Sequence, residues 1–247
     1  MHSGGDKDID NLLDAIEKGS KEAGLTLEDI RRRRHAFDHG SGAPRPDQIP
    51  RIKRLGMMVS MINTVLWENR TDYDISFRVR NYGIEYAHWA VPRKSVSEAG
   101  IMNTQEIDRA LPHWLFYNVW VGMTRYNAGH QRTFAPREGT DRITQLKALT
   151  TWGSHYILRE ARLGSLEQGK LADFIVLDRD YMTVPQDDIP NIKVLMTVVG
   201  GKTVHLLPQL ASEIGGTPVG PTTWPTRPLE TRLVFRAPGP APKPAPK

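Results

Sequence analysis

Apolar residues recur at helical spacing near the start of the chain. Ile9, Leu12, Leu13 and Ile16 fall at i, i+3, i+4 and i+7, the stripe that one face of an amphipathic helix buries, and Gly19 is placed to end it. Thr26, with Asp29 three residues on, approximates a capping box and predicts a second helix start. His35 to His39 alternates and then meets Gly40-Ser41-Gly42-Ala43-Pro44, the pattern of a strand whose C-terminal end opens into a loop. Alternation puts His35, Phe37 and His39 on one face of it. Ile49, Ile52 and Leu55 share a helical face ahead of Gly56, a C-terminal cap position, and Met57 to Ile62 follows as a buried strand. Strand, loop, helix, strand is the order of parallel α/β architecture.

From Trp67 to Trp89 the chain is polar and aromatic with no clean period, which predicts a long loop. Pro92 suits the first turn of a helix running to Ala99, Gly100 closes it, and Ile101 to Ile107 is weakly strand-like. Helices are expected over Trp114 to Arg125 and Arg142 to Leu158, the second opened by Thr140 and Asp141. Phe174 to Leu177, Val194 to Val199 and Thr203 to Leu207 are three apolar runs, with a polar connection after the first and Gly200-Gly201 after the second. They predict an antiparallel meander. Beyond Leu207 prolines recur, and Ala237 to Lys247 is almost entirely Pro, Ala, Gly and Lys, too polar and stiff to bury a core.

Composition narrows the chemistry. The chain has no cysteine, so disulfides and thiolate metal sites are excluded and any metal must be held by His and carboxylate groups. The net charge of +5 and the run Arg31-Arg32-Arg33-Arg34 raise the question of nucleic acid. Arginines closing a helix complement its dipole, acidic Asp6, Asp8, Asp10 and Asp14 lie nearby, and no stretch interleaves aromatic with basic residues. Nucleic acid is therefore not expected as a partner. No apolar run is long enough to span a bilayer, so no membrane partner is expected either. Met1 is followed by polar residues instead of the apolar core of a secretory leader, which makes the cytoplasm the default expectation for a localisation the sequence does not specify.

The stretch Gly164-Ser165-Leu166-Glu167-Gln168-Gly169-Lys170-Leu171-Ala172-Asp173 fixes many non-glycine positions just before the first strand of the meander. It resembles the G-S-[LI]-E-x-G-K-x-A-D segment of the metal-dependent amidohydrolase superfamily, in particular its amidohydrolase family 3 branch. There this segment leads the chain from a (β/α)8 barrel into a small β-sandwich. The implied fold is α/β, a partial (β/α)8 TIM-like barrel (strands 5 to 8) with a C-terminal piece of a composite β-sandwich. Residues 1–163 are the C-terminal half of the barrel, 164–207 the sandwich strands and 208–247 a Pro-rich tail expected to be disordered.

The same resemblance points to three site residues. His2, in His2-Ser3-Gly4-Gly5-Asp6-Lys7-Asp8-Ile9-Asp10, matches the metal-binding His of H-x-x-G-D-x-x-I-D after the fifth barrel strand; spacing alone equally fits a frayed surface residue. His39 matches the last His of R-H-x-x-[ED]-H on the sixth strand, a metal ligand or substrate contact, with His35 as a structural histidine. Asp108 aligns with the aspartate that ends the eighth strand, binds metal and accepts a proton from water. Here Glu106 and Ile107 replace the small residues that usually precede it, and a surface aspartate is the alternative. The sequence has no H-x-H pair, the family's first-strand signature, so the resemblance covers only the family's C-terminal half.

The resemblance implies a hydrolase of non-peptide carbon–nitrogen bonds that uses a water activated by Zn2+ or another divalent metal. His2, His39 and Asp108 are its ligands, Asp108 is the catalytic base, and the substrate is a small amide or N-acyl compound. The alternative is a catalytically incomplete remnant serving as a structural or interaction module. Open barrel edges make homo-oligomerisation an expectation in either case. Deleting the residues after Arg236 is expected to leave the melting temperature unchanged, and a large drop in a thermal scan would show that the tail packs.

Overall fold

The computed structural model describes residues 1–3, 5–40, 44–66, 75–107, 114–128 and 130–225. Helix α1 (Asp6–Glu22) buries Ile9 and Leu13 and sets Leu12 and Ile16 at the margin of the core, the stripe that the spacing predicts. Asp6 and Asp8 occupy its first turn, and an Asp8 carboxylate oxygen accepts from the Gly5 N–H at 3.1 Å. The helix does not stop at Gly19. One interior glycine costs only about 1 kcal/mol against alanine, so the helix continues until Gly24, at φ 67°, provides the left-handed turn-off. Helix α2 (Leu27–Arg32) begins with the expected capping box: the Asp29 N–H donates to Thr26 Oγ1 at 3.1 Å and the Thr26 N–H to Asp29 Oδ2 at 2.9 Å.

Strand β1 (Ala36–Phe37), helix α3 (Ile49–Arg54) and strand β2 (Met58–Ile62) follow, and every residue of β2 is buried. A 3-10 turn over Asn63–Leu66 ends it. The loop expected from Trp67 to Trp89 instead contains α4 (Ile75–Tyr82) and α5 (Ile84–Ala87), while residues 67–74 lie outside the described residues. Ile75 and Val79, one turn apart, seat α4 on the core, a stripe too short to stand out as a period. Helix α6 (Arg93–Glu98) follows Pro92, and strand β3 (Asn103–Glu106) completes a parallel sheet in the order β1-β2-β3. Phe37 lies beside Val59, Val59 beside Asn103 and Ile62 beside Glu106.

This α/β sheet has two unlike faces. Phe37, Val59 and Met61 join Ile9, Leu13, Ile52 and Leu55 in the main core, so that face is covered by α1 and α3. Strand alternation turns Ser60, Thr104 and Glu106 to the other face. The start of the chain extends the sheet past β1: His2 bridges Asp38 in parallel, the Asp38 N–H donates to Met1 O at 3.0 Å, and the Ser3 N–H donates to Asp38 O at 3.3 Å.

Helix α7 (Trp114–Thr124) lies between the main core, to which it gives Tyr117 and Val121, and a second core containing its Phe116 and Val119. A ribbon of β4 (Tyr126–Asn127) and β5 (Arg132–Thr133), a 3-10 turn over Pro136–Glu138, and helices α8 (Arg142–Leu149) and α9 (Thr151–Tyr156) come next. One helix was expected over 142 to 158. It is split at Thr150, whose φ of −121° and ψ of −92° are not helical and whose Oγ1 donates back to Leu146 O at 2.7 Å. Asp141 caps α8 as expected, accepting from the Thr144 N–H at 2.7 Å.

Strands β6 (Phe174–Leu177), β7 (Val194–Val199) and β8 (Lys202–Leu206) form the antiparallel meander, with a 3-10 segment, Gln186–Asn191, in the connection before β7. The segment leading into it is a built turn. Lys170 Nζ donates to Ser165 Oγ at 2.6 Å, Ser165 Oγ donates to Glu167 Oε1 at 2.5 Å, and Asp173 Oδ1 accepts from the Gly200 N–H at 2.5 Å, fastening β6 to the far hairpin turn.

The tail does not begin at 208 as an unstructured segment. Pro208 opens helix α10 (Pro208–Glu213), Ala211 is buried, Leu206 and Val219 exchange hydrogen bonds of 2.9 and 3.1 Å, and Trp224 packs on the second core. Proline is favoured in a first helical turn because its missing N–H has no helical partner to lose there. Residues 226–247 lie outside the described residues.

Gly164 has φ 94°, and a Cβ there would come within 2.2 Å of Ser154 Oγ. Gly164→Ala is expected to cost about 2–4 kcal/mol, from left-handed backbone strain and overpacking together. Urea denaturation measures it, and a loss below about 0.5 kcal/mol, the level of an ordinary surface substitution, would show that the turn relaxes freely.

Candidate functional site

Parallel strands in register bring their C-terminal ends to one edge of a sheet. His39 follows β1 with φ 74°, a region that non-glycine residues occupy only when neighbours hold them there. The holding group is Glu106, the last residue of β3. Its Oε2 accepts from the His39 backbone N–H at 3.1 Å and from Ser60 Oγ at 3.1 Å, and its Oε1 lies 2.6 Å from His39 Nδ1. One carboxylate thus gathers groups from all three strands. The side chains of His39 and Glu106 are 24% and 21% exposed, so the pair is reachable from solvent while water screens it only in part.

His2 stands beside them. Its ring centroid is 4.0 Å from that of His39, with the planes 55° apart. The first residues are not frayed, because the Met1 amino group donates to Ala36 O at 3.2 Å and Ser3 Oγ to Asp38 O at 2.9 Å, in addition to the backbone pairing. Among the described residues, the buried Asp38 Oδ1 atom has no hydrogen-bond partner. Tyr156, at the end of α9, completes the surround: burial raises the pKa of its phenol, and the carboxylates of Asp38 and Glu106 raise it further.

The structure brings the rings of His2 and His39 together, while Asp108 lies outside the described residues. His35 serves the sheet, its carbonyl accepting from the Met58 N–H at 3.1 Å. Imidazole is a good donor for zinc and related divalent ions, so the two histidines fit part of a metal site. Among the described residues, no group of three or more His, Asp or Glu is placed to hold an ion, and a third donor is not supplied there. Sequence reasoning missed Glu106 as a partner of His39, along with Ser60 and Tyr156. The available signal was Ser60, the one polar residue inside the apolar run Met57 to Ile62.

Residues 1–205 match the model of the amidohydrolase family. The chain belongs to that family. Among solved structures, this amidohydrolase-family chain is similar to an uncharacterised metal-dependent hydrolase from Pyrococcus furiosus, at 26% identity over 74% of this chain and 33% of that one, with a TM-score of 0.55. It is also similar to an uncharacterised metal-dependent hydrolase from Pyrococcus horikoshii OT3, at 22% identity over 75% of this chain and 35% of that one, with a TM-score of 0.57. The chain spans about a third of the length of these two proteins. Comparison with curated proteins gave no match. The family match takes in His2, His39, Glu106 and the meander up to His205, and it ends before α10. Among the described residues, no helix is long and apolar enough to cross a membrane.

The raised phenol pKa of Tyr156 sets a sign for alkaline stability. A group titrating higher in the folded state than its unfolded value of about 10 supports the fold below pH 10 and loses that support as pH rises through the folded value. The parent protein is therefore expected to lose more stability than Tyr156→Phe between neutral pH and pH values above about 10. Urea midpoints across that range measure the difference, and parallel curves would remove Tyr156 from this buried setting.

Proposed function

We propose that this chain bears the metal-binding strand ends of an amidohydrolase-type hydrolase acting on non-peptide carbon–nitrogen bonds of small amides or N-acyl compounds. The observation behind this reading is the contact between His2 and His39 at neighbouring strand ends of an amidohydrolase-family chain. His2 and His39 would hold a divalent ion such as zinc, with Asp108 as a further ligand and as the catalytic base. The bound ion supplies a Lewis acid that polarises a carbonyl and lowers the pKa of a water toward neutrality. Tyr156 keeps its proton at neutral pH and stands as a hydrogen-bond donor at the edge of the site. In this reading β1, β2, β3 and the strand-like pairing at His2 correspond to strands 5 to 8 of a (β/α)8 barrel. The meander β6-β7-β8 is then one piece of a composite β-sandwich, with residues 1–163 and 164–207 as the two units.

A second reading, a catalytically incomplete chain that works as an interaction module, is favoured by two observations. The small sheet leaves Ile175, Val199 and Val204 exposed, and the parallel sheet ends at strand edges that another chain could extend. Self-association through open strand edges belongs to this reading.

Elemental analysis of the parent protein and His39→Ala is expected to show metal in the first and a marked loss in the second; equal content would remove His39 from the site. The zinc-loaded protein, assayed on N-acyl amino acids, hydantoins and formamides, is expected to turn over at least one of them slowly and to lose that activity in Asp108→Asn. A folded protein that self-associates on light scattering and hydrolyses none of these substrates would favour the interaction module.

A further inference from the structure

We infer that Arg34 is a clasp that closes helix α9 onto the polar face of the parallel sheet, with His155 as its acid-sensitive member. The inference stands on the geometry of these residues and needs no bound metal. Of the arginine run at 31–34, Arg31 and Arg32 end α2, whereas Arg34 turns away from that helix at φ 52°. Its guanidinium reaches a segment 126 positions along the chain, where Nη1 donates to Glu160 Oε1 at 2.7 Å. Nη2 donates to the His155 carbonyl at 2.6 Å. That carbonyl lies in the last turn of α9, where the aligned peptide dipoles end negative and a cation is favoured. His155 Nδ1 stands 3.7 Å from the same Glu160 oxygen. What the clasp holds is a short helix with its own path, because Thr150 separates α9 from α8. An added Cβ on Gly153 would lie 3.4 Å from Thr104 Oγ1, so α9 approaches β3 closely, and the carboxylates of Asp38 and Glu106 act on its Tyr156 phenol. Ile157 and Leu158 are 56% and 62% exposed and add little apolar packing at this end. A charge-assisted pair therefore stands where a core contact would hold a better buried helix, and it governs how far α9 covers the strand ends.

Acid acts on the clasp through His155. Among the described residues, the charged groups acting on its ring are Arg34 and Glu160. Burial disfavours the imidazolium, the Arg34 charge adds to this and Glu160 offsets part of it, so the ring titrates below its ordinary value. Glu160 is held ionised below the usual carboxylate range, chiefly by its hydrogen bond from Arg34. The neutral imidazole thus supports the fold fully above its unfolded pKa of about 6.5, and that support is lost as pH falls through the lower folded value. Glu160 keeps its charge across this window. An imidazolium there sets a second cation beside Arg34, and the two compete for one carboxylate oxygen.

The test is amide hydrogen exchange of the full chain, read by mass spectrometry on peptides from 151–163 and from β2, and corrected for the intrinsic pH dependence of exchange. In the parent, protection of 151–163 is expected to fall about 2- to 5-fold between neutral pH and a pH about one unit below the ordinary histidine value, as suits a partly exposed charge cluster. His155→Gln, whose side chain stays neutral, is expected to show no such fall. Arg34→Met is expected to lose roughly 10-fold of that protection at both pH values, with β2 unchanged. Glu160→Gln, which leaves the bond to the His155 carbonyl in place, is expected to lose less. Unchanged protection of 151–163 in Arg34→Met would overturn the clasp. An equal loss over β2 and 151–163 in both Arg34→Met and Glu160→Gln would also overturn it, by making the pair a contributor to global stability. A parent and His155→Gln that respond alike to acid would remove the acid-sensitive role.

Discussion

Helix α7 is buried on two opposite sides, and both cores are built against it. Tyr117 and Val121 enter the core under the parallel sheet, while Phe116 and Val119 enter the core under the 178–193 connection. A helix covered on both sides needs apolar residues all round, which is why this segment, apart from the buried Asn118, is apolar on every side and shows no stripe. Burying those four side chains stabilises the fold by roughly 10 kcal/mol, comparable to the whole net stability of an ordinary domain. Neither core is complete without the helix. Its approach is set by Gly122, where an added Cβ would lie 2.3 Å from Gln145 Nε2 and 2.7 Å from Asn63 Nδ2. Asn63 in turn donates to Asn118 O at 3.2 Å, so the turn that ends β2 is pinned to α7 beside the strand ends that form the candidate site.

Two buried arginines extend that control to the sheet. Arg93 donates to Asn103 Oδ1 at 2.6 Å and to Met61 O at 3.0 Å, joining β2 to β3 close to Ser60 and Glu106. Arg125 donates to Phe134 O at 3.1 Å, to Val91 O at 2.9 Å and to Ala90 O, tying the end of α7 to the residues before α6. Burial pulls both guanidinium groups below their usual pKa, and for Arg93 the charge of Arg125 adds to the effect. Carbonyl dipoles meet these charges where carboxylates would be expected. The buried carboxylate of the region, Glu138, instead takes the Ser95 N–H at 3.0 Å and Ser95 Oγ at 2.5 Å at the start of α6. Its charge still raises the pKa of Arg125 against the burial cost.

Features with short-range causes were legible in the sequence. The α1 stripe, the Thr26–Asp29 box, the Asp141 cap and the meander are each decided by neighbours along the chain. Helix ends were harder, because Gly19 and Gly24 are both adequate stops and only packing selects between them. Helix α10 was hidden within the proline-rich change of composition after Leu207, although a proline in a first turn suits a helix start. At the candidate site, His2 and His39 were singled out by motif resemblance, but their contact, like that of His39 with Glu106 at 67 positions' separation, depends on strand register. Register joins residues that no local pattern relates. Asp108 rests on the resemblance alone.

The placement of the exceptions supports a functional edge to the sheet. Strand β3 reads Asn-Thr-Gln-Glu, a poor strand by propensity, and it is held by its ladder to β2, by Arg93 and by the bond from Thr104 Oγ1 to Ala148 O at 3.0 Å. Strand β2 carries one hydroxyl in an otherwise apolar run. The chain leaving β1 takes a left-handed conformation at a histidine, where glycine or asparagine would be less strained. Each departure costs stability where it occurs, and unrelated costs would be expected to scatter through the fold. These three converge on the Glu106 carboxylate, which pairs with His39 and holds Ser60. Natural sequences break their own local rules chiefly where something other than folding is selected, and the convergence makes the strand ends a better candidate for the site than the more recognisable turn from Gly164 to Asp173.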